Sequence, residues 1–275
     1  MALPFIPSDA SVLALQAATV VGPRPIARPA WMDRFHGRGW AFVPIASIVV
    51  VIFAIRYVSD TATGLTWLAL IAVPILAALA LGWAMRGSRP WAALLAVPLF
   101  VLAWTLKTSL VGEGSAALLS ALSCVTLGVL LAAVTPPSWL KAGIVLMAAA
   151  DVWLVVSDLL QTPNATLVAA SPPAGLPQLQ SELFGTVSLG YGDLFVAALL
   201  GAVLAARWRR QWQAALLTLA IAAVFDLLFL VISELPATVP VALALIVMEA
   251  AERVSVARRR RRPSMRADVI PRQAR

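Results

Sequence analysis

Two carboxylates, Asp151 and Asp193, stand inside apolar stretches of the chain. A carboxylate near the middle of a membrane-spanning helix costs about 2.5–3.5 kcal/mol on insertion scales, which makes each a candidate functional group. Asp193 closes the sequence Ser188-Leu189-Gly190-Tyr191-Gly192-Asp193, within the apolar run 184–206. Gly190 and Gly192 remove side-chain bulk, so another helix or a substrate backbone can come close to the carboxyl. Two carboxyls that share a site cannot easily both ionise, and one keeps its proton. The ionised partner can then take a proton from water while the protonated one polarises a peptide carbonyl, which is the equipment of aspartyl hydrolysis. Such a pair titrates as a unit, so neither residue is assigned the acid role. Two other uses stand beside this one: a hydrogen bond between helices, or a step on a proton or ion pathway.

The elements that must position these groups follow from composition. The chain is 61% hydrophobic and 12% charged, with mean hydropathy +0.90. A soluble domain carries nearer about a quarter charged residues, so that class is excluded. Apolar runs of about 20 residues predict an all-α, polytopic transmembrane bundle in one domain. Eight spans are expected, at roughly 40–58, 64–85, 90–110, 115–135, 139–160, 183–206, 212–233 and 236–252. The short alternating strands of a transmembrane barrel are not visible. The domain reading is an N-terminal cytoplasmic arm at 1–39, a helical domain at 40–252 and a basic tail at 253–275. Within the arm, the best apolar run, 12–21, is too short to span, so it reads as interfacial or poorly ordered. Asp9 and the lack of an early positive charge argue against a signal peptide.

Charge sets the orientation. Arg24, Arg28, Arg34, Arg38, Arg86, Arg89, Lys141, Arg207, Arg209, Arg210 and the C-terminal arginines fall on one side of the expected spans. The other side has Arg56, and Lys107 near a helix end. That asymmetry predicts both termini in the cytoplasm. Trp40, Trp83, Trp91, Trp139, Trp208 and Trp212 fall at the same ends, as an aromatic belt would. The net charge of +8 therefore reads as topology and contact with anionic lipid, not nucleic-acid binding. The connection 161–182, with Pro163, Pro172, Pro173 and Pro177, lies outside and is long enough to be a lid or binding loop.

Depth links the two candidates. Counted along the expected spans, Asp151 and Asp193 each sit roughly 18–20 Å from the cytoplasmic ends of consecutive antiparallel helices, which lets the carboxyls face each other. Pro236 donates no backbone hydrogen bond and disfavours helix before it, so 234–238 should be irregular. Irregular backbone at membrane depth is tolerated where it lines a wet cavity, and its free groups can pair with an extended substrate. An ordinary helix start with proline in its first turn is the simpler account of the same residues. Asp226 is read as a helix–helix contact, Asp158 as solvated, and Lys107 and Glu113 as interfacial. Cys124 alone forms no internal disulfide, and one histidine, His36, leaves neither a zinc H-E-x-x-H site nor a membrane Ser–His dyad.

Three sequences resemble the GxGD-type intramembrane aspartyl proteases, the presenilin and signal-peptide-peptidase family. Ala150-Asp151-Val152-Trp153-Leu154-Val155 resembles their Tyr-Asp motif, and Ser188 to Asp193 their Gly-x-Gly-Asp helix. Leu235-Pro236-Ala237-Thr238-Val239-Pro240 is similar to their Pro-Ala-Leu motif. Ala150 replaces the motif tyrosine and Thr238 the motif leucine. The resemblance covers about 139–250, and against the family's nine helices one N-terminal helix is missing. It implies an aspartic endopeptidase of a bacterial or archaeal plasma membrane that cleaves transmembrane peptides. Asp151 and Asp193 would be catalytic, Gly190, Tyr191, Gly192, Pro236, Ala237 and Thr238 would bind substrate, and no cofactor or metal is implied. The cytoplasmic C-terminus would match signal peptide peptidase and oppose presenilin. A prepilin-peptidase-like enzyme is the nearest alternative, since Gly192-Asp193-Leu194 followed by Ala197, Ala198 and Gly201 resembles its pattern. That family places a lysine where this chain has Phe195. A proton-coupled transporter or non-catalytic scaffold is the alternative from another class.

Overall fold

A computed structural model describes residues 6–26, 30–57, 61–157, 159, 166, 169–170, 175–179, 181–184, 187–230 and 236–261. The described chain is helical apart from one short hairpin. Its helices are α1 (Ile6–Val21), α2 (Val43–Tyr57), α3 (Thr61–Leu79), α4 (Ala96–Thr105), α5 (Leu110–Val134), α6 (Pro137–Val156), α7 (Tyr191–Leu204), α8 (Trp208–Asp226) and α9 (Val239–Arg261). The hairpin pairs β1 (Ser181–Phe184) with β2 (Val187–Gly190), antiparallel, with Ser181 opposite Gly190. Among the described residues four helical stretches are long and apolar enough to cross a membrane: Arg38–Ile55, Thr61–Ala84, Leu110–Val134 and Pro137–Val156.

The core is built around α5. Ser109 caps it, its hydroxyl accepting from Gly112 N at 3.3 Å. Leu119, Ser120, Ser123, Cys124 and Thr126 along it are fully buried. Burying hydroxyls among apolar helices is costly unless they are bonded. Here Ser123 Oγ donates to Ser120 O and Thr126 Oγ1 to Leu76 O of α3, each at 2.7 Å. Small residues let the helices close up. A Cβ on Gly128 of α5 would lie 2.9 Å from the Ala198 backbone of α7, and one on Gly201 would collide with Val20 O of α1. From the long connection between α6 and the hairpin, 175–179 turns inward. Leu179 is buried beside Leu119 and Leu122, Ser120 Oγ lies 3.5 Å from Leu179 O, and Lys107 Nζ donates to Gly175 O at 3.2 Å.

The expected N-terminal arm is corrected by α1. Gln16, Thr19 and Val20 are buried, and α1 packs along α7 and α8. The first residues of α1 lie with Asp9 in electrostatic reach of Asp226, at the end of α8. Its last residues lie beside Gln211, whose Nε2 donates to Val20 O and Pro23 O at 3.0 and 2.9 Å. Apolar length alone predicts no span here, but 16 residues still reach about 24 Å, and buried side chains decide the placement. The finish of α9 is tied at Glu252 to Arg207 and Arg210, at the beginning of α8. The start of α1 and the finish of α9 therefore lie at opposite ends of the bundle, so the two described ends do not share one side.

The second correction concerns 183–206, expected to be one helix. Helix begins only at Tyr191, after the hairpin. Gly190, with its non-helical backbone, is the boundary, and the β-branched Val187 suits the extended partner.

The arginine-rich end carries its aromatics as expected. Arg24 lies over Trp83, Arg38 over Trp139, Arg86 over Trp208 and Arg89 over Trp91, at 4.4–6.0 Å. Lys141 of α6 pairs with Glu249 of α9 at 2.6 Å.

Candidate active site

Asp151 sits in α6, about one and a half turns before its end at Val156. It is partly buried, while Val152, Trp153 and Val156 beside it face outward. Its carboxyl is met by a residue far along the chain: Thr238 Oγ1 donates to Asp151 Oδ2 at 2.6 Å. Thr238 is itself buried. The local chain explains how it gets there. Pro236, Ala237 and Thr238 form a turn just before α9, and Pro240 in the first turn of that helix has no N–H to give. Val239 N accordingly donates to Pro236 O and Ala242 N to Thr238 O, each at 3.2 Å. The irregular backbone expected at 234–238 is therefore seen at 236–238, and 234 and 235 lie outside the described residues.

Asp193 occupies a different environment. It is the third residue of α7, not a mid-helix residue, and its Oδ2 accepts from Gly190 N at 3.0 Å. That bond satisfies a backbone donor at the start of the helix, where the positive end of the helix dipole favours a carboxylate. Space over Gly192 is open, since nothing lies within 4 Å of where its Cβ would be. Gly192 thus leaves the approach to this turn clear.

Tyr191, expected at the substrate, is held by α5. Its hydroxyl lies 2.7 Å from Ser123 Oγ, and Cys124 Sγ donates to Tyr191 O at 3.6 Å. These bonds fix the Gly190–Gly192 turn from behind.

Packing draws the three motifs into one neighbourhood. Ile144, Met147 and Ala148 of α6 share a core with Val196, Ala197 and Leu200 of α7 and with Val241 and Ala242 of α9. Ala237 packs against the same buried cluster, with Leu194 in it, that Tyr191 and Phe195 on either side of Asp193 pack against. Helix direction puts both carboxylates toward the same end of the bundle. Asp151 approaches the finish of α6, which begins near Glu249, and Asp193 opens α7, whose end meets Arg86 at Ala205 O.

Three supporting residues escaped the sequence reading: Gln16, Ser123 and Cys124. Gln16 Nε2 donates to Ala237 O at 2.9 Å, directly beside Thr238. A lone amide within the apolar run 12–21 was the available signal. Asp226 lies half-buried at the end of α8, beside Asp9. Asp158 lies outside the described residues. Among the described residues no three His, Cys, Asp or Glu side chains are grouped to hold a metal ion. Comparison with protein-family models, curated proteins and solved structures finds no match for the chain.

Proposed function

We propose that the chain is an intramembrane aspartyl protease in which Asp151 and Asp193 hydrolyse a peptide bond of a transmembrane substrate. The observation that carries this reading is the Thr238–Asp151 hydrogen bond, 2.6 Å across the sequence-distant first and third motifs. With Ala237 packed against the same buried cluster as the residues around Asp193, it gives the three motifs a shared neighbourhood. In the proposed reaction one carboxylate takes a proton from water, whose oxygen attacks the scissile carbonyl while the other carboxyl donates to the carbonyl oxygen. Collapse of the tetrahedral intermediate breaks the C–N bond, and the nitrogen leaves with a proton from the pair. Extended backbone is at hand for a substrate strand, since β2 ends at Gly190 beside the Asp193 turn.

The chain would be a multi-pass protein of a bacterial or archaeal plasma membrane. In this reading α1 adds a crossing to the eight expected from apolar length. The arginine-rich end, with the finish of α9, would be cytoplasmic, and the start of α1 would lie outside. Reporter fusions after Arg262 should then score as cytoplasmic and fusions at the N-terminus as external. The catalytic test is direct. Purified protein in liposomes should cleave members of a panel of transmembrane peptides, and an aspartyl-protease transition-state analogue should block cleavage. Turnover insensitive to the analogue, or no turnover across the panel, would remove the reading.

A further inference from the structure

We propose that Gln16 of α1 is a positioning residue for Asp151, acting through the Ala237 carbonyl and the Thr238 hydroxyl. The proposal rests on the protease reading and names a part of its machinery outside the three motifs. Gln16 is 1% exposed, on a helix whose other buried residues are Val12, Ala17, Thr19 and Val20, all but one apolar. Burying an amide in such company costs about 1–3 kcal/mol when it is left unbonded, so its bonds decide whether the position is tolerated. Its Nε2 donates to Ala237 O at 2.9 Å.

The placement of that carbonyl gives the bond its consequence. Ala237 is joined directly to Thr238, whose Oγ1 lies 2.6 Å from Asp151 Oδ2. The segment 236–238 is non-helical, and Pro236 and Pro240 withhold two N–H groups from the network that would otherwise stiffen it. Rotation of the peptide plane at Ala237 would swing the Thr238 hydroxyl away from the carboxylate. Gln16 clamps that plane from α1. α1 is in turn fixed farther down, where Gln211 Nε2 bonds Val20 O and Pro23 O and where Gly201 of α7 lets Val20 approach. The amide thus stands on a rigid strut, as a side chain that holds a neighbour in place must.

Gln16→Met keeps length and apolar volume but removes the donor. The experiment measures kcat and KM of this variant, of Thr238→Val and of the double variant, in liposomes, with thermal unfolding as a fold check. Gln16→Met should lower kcat on the order of 10- to 100-fold with KM within about twofold, the scale of a small misplacement at a reacting centre. In the Thr238→Val background the same change should cost less than about twofold, because the hydroxyl it positions is already gone. A packing role would add its full effect in both backgrounds, and a wild-type kcat in Gln16→Met would overturn the proposal outright. Amide hydrogen exchange provides a readout that does not need turnover. Gln16→Met should speed exchange at Thr238, Val239 and Ala242 while leaving α5 protected. Unchanged exchange there refutes the clamp even if the protein cleaves nothing, whereas inactivity of the wild type with accelerated exchange refutes only the protease reading. Should Gln16→Met fold poorly, Gln16→Asn, too short to reach Ala237 O, takes its place in both measurements with the same expected outcomes.

Discussion

Asp151 and Asp193 are the same side chain held in two different ways. Asp151 stands inside a continuous helix, and its recorded partner, Thr238, comes from 87 positions away. Asp193 opens a helix, and its carboxyl turns back onto the backbone of Gly190 only 3 positions before it. One carboxylate is organised by tertiary structure and the other by a local turn. The local arrangement survives any change that leaves the turn intact, whereas the long-range one depends on α6, α9 and α1 being docked together. An asymmetric pair of this kind suits acid–base chemistry, which needs two like groups in unlike surroundings.

The largest expected effect removes the comparison altogether. Asp151→Asn and Asp193→Asn should each abolish cleavage, because the amide keeps size and hydrogen bonding but cannot exchange the proton the chemistry requires. Neither should hinder insertion, since each removes a potential charge from the bilayer. The double variant should be little worse than either single one, as residues that act as a unit are non-additive. Expression-matched cleavage assays check this, and full activity in Asp151→Asn would sink the aspartyl mechanism.

A smaller effect sharpens the long-range half. Thr238→Val deletes the hydroxyl at nearly constant volume and leaves the Asp151 carboxyl short of one donor. Hydrogen bonds to charged groups contribute about 1.5–3 kcal/mol, so kcat should fall roughly 10- to 100-fold. Thr238→Ser should restore most of it, since the hydroxyl returns. Equal losses in the two variants would mean that the methyl group, and hence packing, is what matters at this position.

The local half predicts a milder loss. Tyr191→Phe removes the hydroxyl that meets Ser123 at 2.7 Å. Both partners are neutral, and such a bond contributes about 0.5–1.5 kcal/mol net. The Asp193 turn keeps its own bond to Gly190, so activity should drop only about two- to tenfold, with a matching small decrease in thermal stability. A loss as large as that of Thr238→Val would show that the Asp193 turn is as dependent on distant contacts as Asp151, and the asymmetry would fail.

How much of this was legible beforehand follows the same division. The apolar segments expected at 40–58, 64–85, 115–135 and 139–160 depend on composition alone, and each coincides with a helix long and apolar enough to cross a membrane, whereas 90–110 and 183–206 contain only shorter apolar helices. The Gly190-Tyr191-Gly192-Asp193 motif was found, but its secondary structure was not. Residues 184–190 are apolar enough to continue a helix, and hydropathy does not distinguish a buried strand from a helix over so few residues. α1 was misplaced for the opposite reason. It falls below spanning length by composition, and only its buried Gln16, Thr19 and Val20 reveal that it belongs to the bundle. The role of Gln16 was out of reach, because a contact between positions 16 and 237 leaves no local trace in one sequence.

The smallest expected effect tests whether a third carboxylate, Asp226, belongs to this comparison at all. Asp226 ends α8 within electrostatic reach of Asp9 of α1, while Thr238 and Gly190 bond the other two carboxylates. Replacing Asp226 with Asn keeps the side chain's size and removes its potential charge. Asp226→Asn should therefore keep cleavage within about twofold of the wild type, since it touches no group assigned to the reaction. Asn can still hydrogen-bond at the helix end, so folding should hold, and thermal stability should be equal or slightly higher. The variant is also a control for the two active-site replacements, because it makes the same chemical change at another place in the same bundle. If Asp226→Asn proves as inactive as Asp151→Asn, the loss in the latter cannot be attributed to the dyad. A chain of carboxylates running from Asp9 and Asp226 toward Asp151 would then explain both losses better, as expected of a proton pathway.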